Sequence, residues 1–111
     1  MTAPQLFAPP SAGDWVEVPG GSRRRVVLSL PELMLVEFAF EAGGVGALHA
    51  HPHAQASYIV EGAFEVTIDG ATRTLAAGGA YIVPPGKVHG VRALEKGRLI
   101  DNFTPCRDDF L

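Results

Sequence analysis

Cysteine is almost missing from this chain. Cys106 stands alone, so no internal disulfide can form and a packed core must hold the fold. A lone thiol fits a reducing compartment. Met1 to Gln5 lacks the charged-then-apolar pattern of a secretory leader, so a cytoplasmic protein is expected. No apolar run is long enough to cross a bilayer, and no membrane partner is expected. Charge is scarce too, at 19% of residues, and the net charge of −3 gives no reason to expect nucleic acid. The one basic run, Arg23-Arg24-Arg25, reads as part of a solvated strand or loop.

What is present is 47% hydrophobic residues in 111, enough for one core and one domain. The pattern is all-β. Residues 1–14, with Pro4, Pro9, Pro10 and Gly13, read as an extended N-terminal arm, and residues 15–111 as the folded domain. Short apolar runs follow, separated by Gly and Pro: Val26–Leu28, Leu33–Phe40, Ser57–Glu61, Phe64–Ile68, Thr72–Leu75, Tyr81–Val83, Val88–Leu94 and Arg98–Phe103. Asp69-Gly70 predicts a type I′ hairpin turn, whose two central residues need positive φ. Many short strands at regular spacing imply a β-sandwich or barrel.

All four histidines are informative. His49, His51 and His53 fall within five residues, and His89 lies far along the chain. Residues i and i+2 of a strand share a face, so His49 and His51 can converge, and Gln55 has the same parity. Three alternating imidazoles facing a core leave polar rings unsatisfied unless something binds them. Three imidazoles and an amide oxygen suit a divalent transition metal such as Ni, Zn, Mn or Fe. Simple parity also points His53 inward. Pro52 has no N–H to donate and breaks the ladder there, which can turn His53 outward and leave Gln55 as the fourth ligand. Both assignments stay open.

Two motifs make a resemblance specific. Gly43, five residues, His49, one residue, His51, three residues, Gln55, six residues and Gly62 match the first cupin motif, with Gln55 where many cupins have Glu. Gly78, five residues, Pro84, one residue, Gly86, two residues and His89 match the second, with Ala93 in place of its closing Asn. The chain therefore resembles a cupin, which implies an antiparallel jelly-roll β-barrel around a metal, commonly as a homodimer.

The tail Asp101 to Leu111 resembles the end of the KdgF-type cupins, which open unsaturated uronates during pectin and alginate breakdown. Ser22 to Val27, Phe64 to Gly70 and Val88 to Gly97 are similar to that family too. The resemblance implies a metal-dependent ring-opening, ketonising enzyme of isomerase or lyase type acting on a small sugar acid. It implies His49, His51, Gln55 and His89 as metal ligands, Asp101 and Arg107 as catalytic residues, and Phe103 and Arg107 as substrate-binding residues. The residues agree in part. Leu99, Asp101 and Phe103 share parity, and a carboxylate on an inward face between two apolar residues is unusual. Two other readings compete: a metal-dependent dioxygenase, and a non-catalytic cupin that binds a sugar or effector.

Overall fold

The last strand shows how this sequence builds its barrel. In β10 (Gly97–Thr104) every second residue is buried, so Leu99, Asp101 and Phe103 face inward while Arg98, Ile100 and Asn102 do not. A computed structural model describes residues 5–111. The other strands are β1 (Val16–Val18), β2 (Ser22–Leu30), β3 (Leu33–Phe40), β4 (Val45–His49), β5 (Ala54–Glu61), β6 (Ala63–Ile68), β7 (Ala71–Ala76), β8 (Ala80–Val83) and β9 (His89–Ala93). They form two antiparallel sheets, one of six strands ordered β1-β2-β3-β10-β5-β8 and one of four ordered β4-β9-β6-β7. This is the expected all-β jelly roll.

Turn chemistry behaves as the sequence predicts. Asp69 and Gly70 both have positive φ, at 49° and 84°, and close the β6–β7 hairpin with Ile68 opposite Ala71. Gly62, at φ 84°, joins β5 to β6. A Cβ there would lie 2.6 Å from the Lys96 carbonyl oxygen, so only glycine fits.

Apolar side chains from both sheets fill the interior in two clusters. Phe40, Ile59, Phe64, Val66, Ala93 and Leu99 form one. Met34, Val36, Phe103 and Cys106 form the other. Phe64 is fully buried and meets Phe40 edge-to-face at 5.3 Å.

The arm reading concerns residues 1–14, of which the first four lie outside the described residues. From Gln5 to Trp15 there is no strand. Arg25 fixes this stretch to its own subunit, donating to the carbonyls of Pro10 at 2.7 Å and Ala12 at 2.6 Å. The arginine run is solvated only in part, with Arg23 exposed and Arg24 and Arg25 half-buried. Arg23 covers the Trp15 ring at 4.5 Å, Arg25 pairs with buried Glu37 at 2.7 Å, and Arg24 reaches the interior. Among the described residues no helix is long and apolar enough to cross a membrane.

Candidate metal centre

Parity reasoning puts His49 and His51 on one strand, but in the structure they do not share one. β4 ends at His49, and residues 50–53 carry the chain from the smaller sheet to the larger one. Pro52 cannot donate to a ladder, and the His51 carbonyl instead accepts from the Gly86 N–H at 2.9 Å. The two rings still converge. One extra residue between Gly46 and His49 shifts the β4–β9 register, and this bulge sets His49 directly opposite His89. Imidazole nitrogens of His49, His51 and His89 all lie within 4.8 Å of one another, a group that can hold a metal ion.

Each of these rings is oriented by a backbone carbonyl. His49 Nδ1 lies 2.8 Å from the Ala47 oxygen, His51 Nδ1 3.0 Å from that of His53, and His89 Nδ1 2.9 Å from that of Lys87. A carbonyl only accepts, so Nδ1 carries the proton and the neutral ring leaves its Nε2 lone pair free. Burial lowers the pKa of both His51 and His89, and the nearby Arg107 charge lowers both further.

Gln55 closes the group from β5. Its Oε1 lies 3.1 Å from His51 Nε2 and 3.2 Å from His89 Nε2. The amide orientation follows from its other neighbours. Ionised Asp101 can only accept, so Ser57 Oγ donates to it, at 2.5 Å, and must accept from Gln55 Nε2 at 3.0 Å. Gln55 Oε1 is thus an acceptor facing two imidazole lone pairs. Three buried acceptors converging with no proton between them are satisfied by a cation, so the donor set fits a divalent metal. His53 stands apart. Its ring centre is 5.5 Å from that of His51, it is not in the converging group, and its buried Nδ1 has no hydrogen-bond partner among the described residues.

The metal group opens on a cavity of about 320 Å³ whose lining includes Arg24, Tyr81, Asp101, Phe103, Arg107 and Phe110. Asp101 sits opposite Ser57 on β5 and Val36 on β3. Burial pushes its carboxyl up to about 6, although the Ser57 hydrogen bond and the Arg107 charge pull the other way. Phe103 meets the His51 ring edge-on at 5.7 Å. Arg107 crosses Phe103 at 5.1 Å and forks onto Asp109 at 3.0 and 2.8 Å, leaving three of its five N–H donors.

Sequence reasoning missed Ser57, Tyr81 and Arg24. Parity with Gln55 along β5 was the signal for Ser57. Tyr81 lies opposite Ser57 on β8, and burial beside Asp101 raises its hydroxyl pKa well above the ordinary value. A cross-strand register is needed to find it.

A cupin domain family matches residues 36–101. The pectin degradation protein KdgF of Dickeya dadantii (strain 3937) is 41% identical over 99 residues, covering 87% of this chain and 90% of that protein. Among solved structures, KdgF from Halomonas sp. superposes with a TM-score of 0.91 at 41% identity, over 96% of this chain and 99% of that one. An RmlC-like cupin from Shewanella frigidimarina NCIMB 400 gives a TM-score of 0.92 at 39% identity, over 96% of each chain.

Proposed function

The chain belongs to the cupin family, among its KdgF-like members, and we propose that it opens and ketonises 4,5-unsaturated monouronates released in pectin and alginate breakdown. One observation carries the reading: Gln55 Oε1 meets His51 and His89 while a single hydroxyl links the same amide to buried Asp101. A metal-ligand set and a tuned carboxyl thus share one cavity.

The substrate is a cyclic hemiacetal whose ring oxygen belongs to an enol ether. The proton of the anomeric hydroxyl leaves, the C1–O bond to the ring oxygen breaks, and C1 becomes an aldehyde. Electrons pass to the former ring oxygen as an enolate, and a proton returns at carbon 4. The product is a linear keto-aldehyde, an isomer of the substrate. His49, His51, Gln55 and His89 would hold a divalent metal, and it would supply Lewis acidity where negative charge develops. Neutral Gln55 leaves that metal more electrophilic than a Glu ligand does.

Asp101 takes the hydroxyl proton and returns one to carbon 4. A carboxyl poised at about 6 does both near neutral pH. Arg107 offers its remaining donors to the substrate carboxylate, and Phe103 forms an apolar wall beside it. The protein works as a homodimer. Tyr58 and Ile82, on the neighbouring strands β5 and β8 of the larger sheet, are half or more exposed and supply apolar contact area for a second copy.

Anaerobic incubation with unsaturated galacturonate, followed by proton NMR, tests the chemistry. Formation of the linear keto-aldehyde without oxygen supports the proposal. A strict oxygen requirement points to a dioxygenase, and binding with no product points to a non-catalytic cupin.

A further inference from the structure

Among the described residues, Arg24 is the guanidinium of this cavity without a countercharge. Its chain neighbours are engaged elsewhere, Arg23 on Trp15 and Arg25 on Glu37. Arg24 turns inward from β2, half-buried, and lines the same cavity as His49, His89 and Asp101. Among the described residues it has no carboxylate within 4.0 Å and no side-chain hydrogen bond. Its guanidinium carbon lies 4.1 Å from the centre of the Phe110 ring. Arg107 lies 4.2 Å from the centre of that same ring.

These two cations are not equivalent. Asp109 neutralises Arg107 through two parallel hydrogen bonds. Among the described residues Asp101 is the one carboxylate lining the cavity, and it is bonded to Ser57. Among the described residues no carboxylate pairs with Arg24. A half-buried guanidinium loses hydration, and stacking on Phe110 returns only part of it while leaving its in-plane donors unused. A planar oxyanion fits those donors.

We propose that Arg24 is a second anion-binding residue of the site, which holds the carboxylate of the substrate together with Arg107, with Phe110 as their common platform. The inference rests on a uronate being the substrate, and it assigns Arg24 a specificity role: acids are taken and the neutral sugars refused.

Saturated galacturonate is a suitable probe, because it has the carboxylate and no enol ether to react. Its binding and that of galactose are measured by calorimetry on metal-replete wild type, Arg24→Gln and Arg24→Lys. Steady-state kinetics on unsaturated galacturonate accompany them. Losing charge-assisted hydrogen bonds predicts galacturonate binding weakened roughly 10-fold or more in Arg24→Gln, KM raised by a similar factor, and kcat within about 3-fold. Arg24→Lys regains part of the loss, and any galactose binding is unchanged. A lowered melting temperature with unaltered galacturonate affinity means that Arg24 only packs on Phe110, and overturns the proposal. Equal weakening for galactose also overturns it. Selective galacturonate binding through Arg24 in a protein that turns over no unsaturated uronate keeps this inference and removes the proposed reaction. Turnover with an Arg24→Gln KM equal to wild type does the reverse.

Discussion

Gln55 and Asp101 share one hydroxyl. Ser57 Oγ accepts from the Gln55 amide at 3.0 Å and donates to the Asp101 carboxylate at 2.5 Å. The one hydroxyl proton is committed to the carboxylate, so the serine can only accept from the amide and fixes which end of it faces the histidines. Ser57→Ala removes this constraint and leaves the fold intact. Metal affinity should fall roughly 10- to 100-fold, the usual effect of losing a hydrogen bond behind a ligand. Titration with a competing chelator measures it, and an unchanged affinity contradicts the role.

The ligand set predicts a sharp contrast among the histidines. His51→Ala/His89→Ala should lose its metal by elemental analysis, while His53→Ala should keep it. Loss of metal from His53→Ala transfers the fourth ligand position from Gln55 to His53.

Asp101 gives a pH dependence of unusual sign. Its carboxyl rises from an ordinary 3.8 to about 6 in the folded protein, because burial disfavours the charge. The folded state therefore holds the proton more tightly than the unfolded chain. This contribution to stability is full below pH 3.8, declines as pH rises towards 6, and stays lost above it. Between these limits it amounts to about 3 kcal/mol. Metal-free Asp101→Asn should match wild type near pH 3.5 and exceed its stability by a few kcal/mol, on the order of 3, at pH 8. Histidine ionisation affects both proteins and cancels in the difference. Denaturant unfolding at the two pH values checks this. Metal-replete Asp101→Asn should retain its metal and lose roughly 10²- to 10⁴-fold in turnover.

Glu37 predicts a structural weak point away from the chemistry. Its buried carboxylate bridges Arg25 and Arg98, each at 2.7 Å. Burial alone raises its pKa, but the two guanidiniums outweigh that and hold it below the ordinary range. Glu37→Gln leaves half-buried Arg25 without its acid and should destabilise the protein by about 3 kcal/mol. Urea unfolding at pH 7 reads this directly.

The strand pattern is legible where one face of a strand is buried, which forces the period of two seen in β5 and β10. Asp69-Gly70 was legible because positive φ restricts the residues at a turn. The site was legible only in part. The structure brings His49, His51, Gln55 and His89 together, although strand parity puts both histidines on one strand. Their meeting depends on a bulge in β4 and on a crossing between sheets, and neither leaves a period in the sequence. β1 carries too little pattern to be read from sequence, because two of its three residues, Val16 and Glu17, are exposed. Arg24 was hidden inside a basic run that looked solvated, since its inward direction comes from the β2–β3 register.

Ring opening of a metal-dependent kind is the central claim, and absorbance tests it most directly. Unsaturated galacturonate absorbs in the ultraviolet through its conjugated enol ether, and opening the ring destroys that chromophore. The absorbance decay is followed with metal-loaded protein, with chelator-stripped protein and after metal is restored. Rapid decay that stops on stripping and returns on reloading is the predicted result. A decay no faster than without protein, or one indifferent to the metal, contradicts the account.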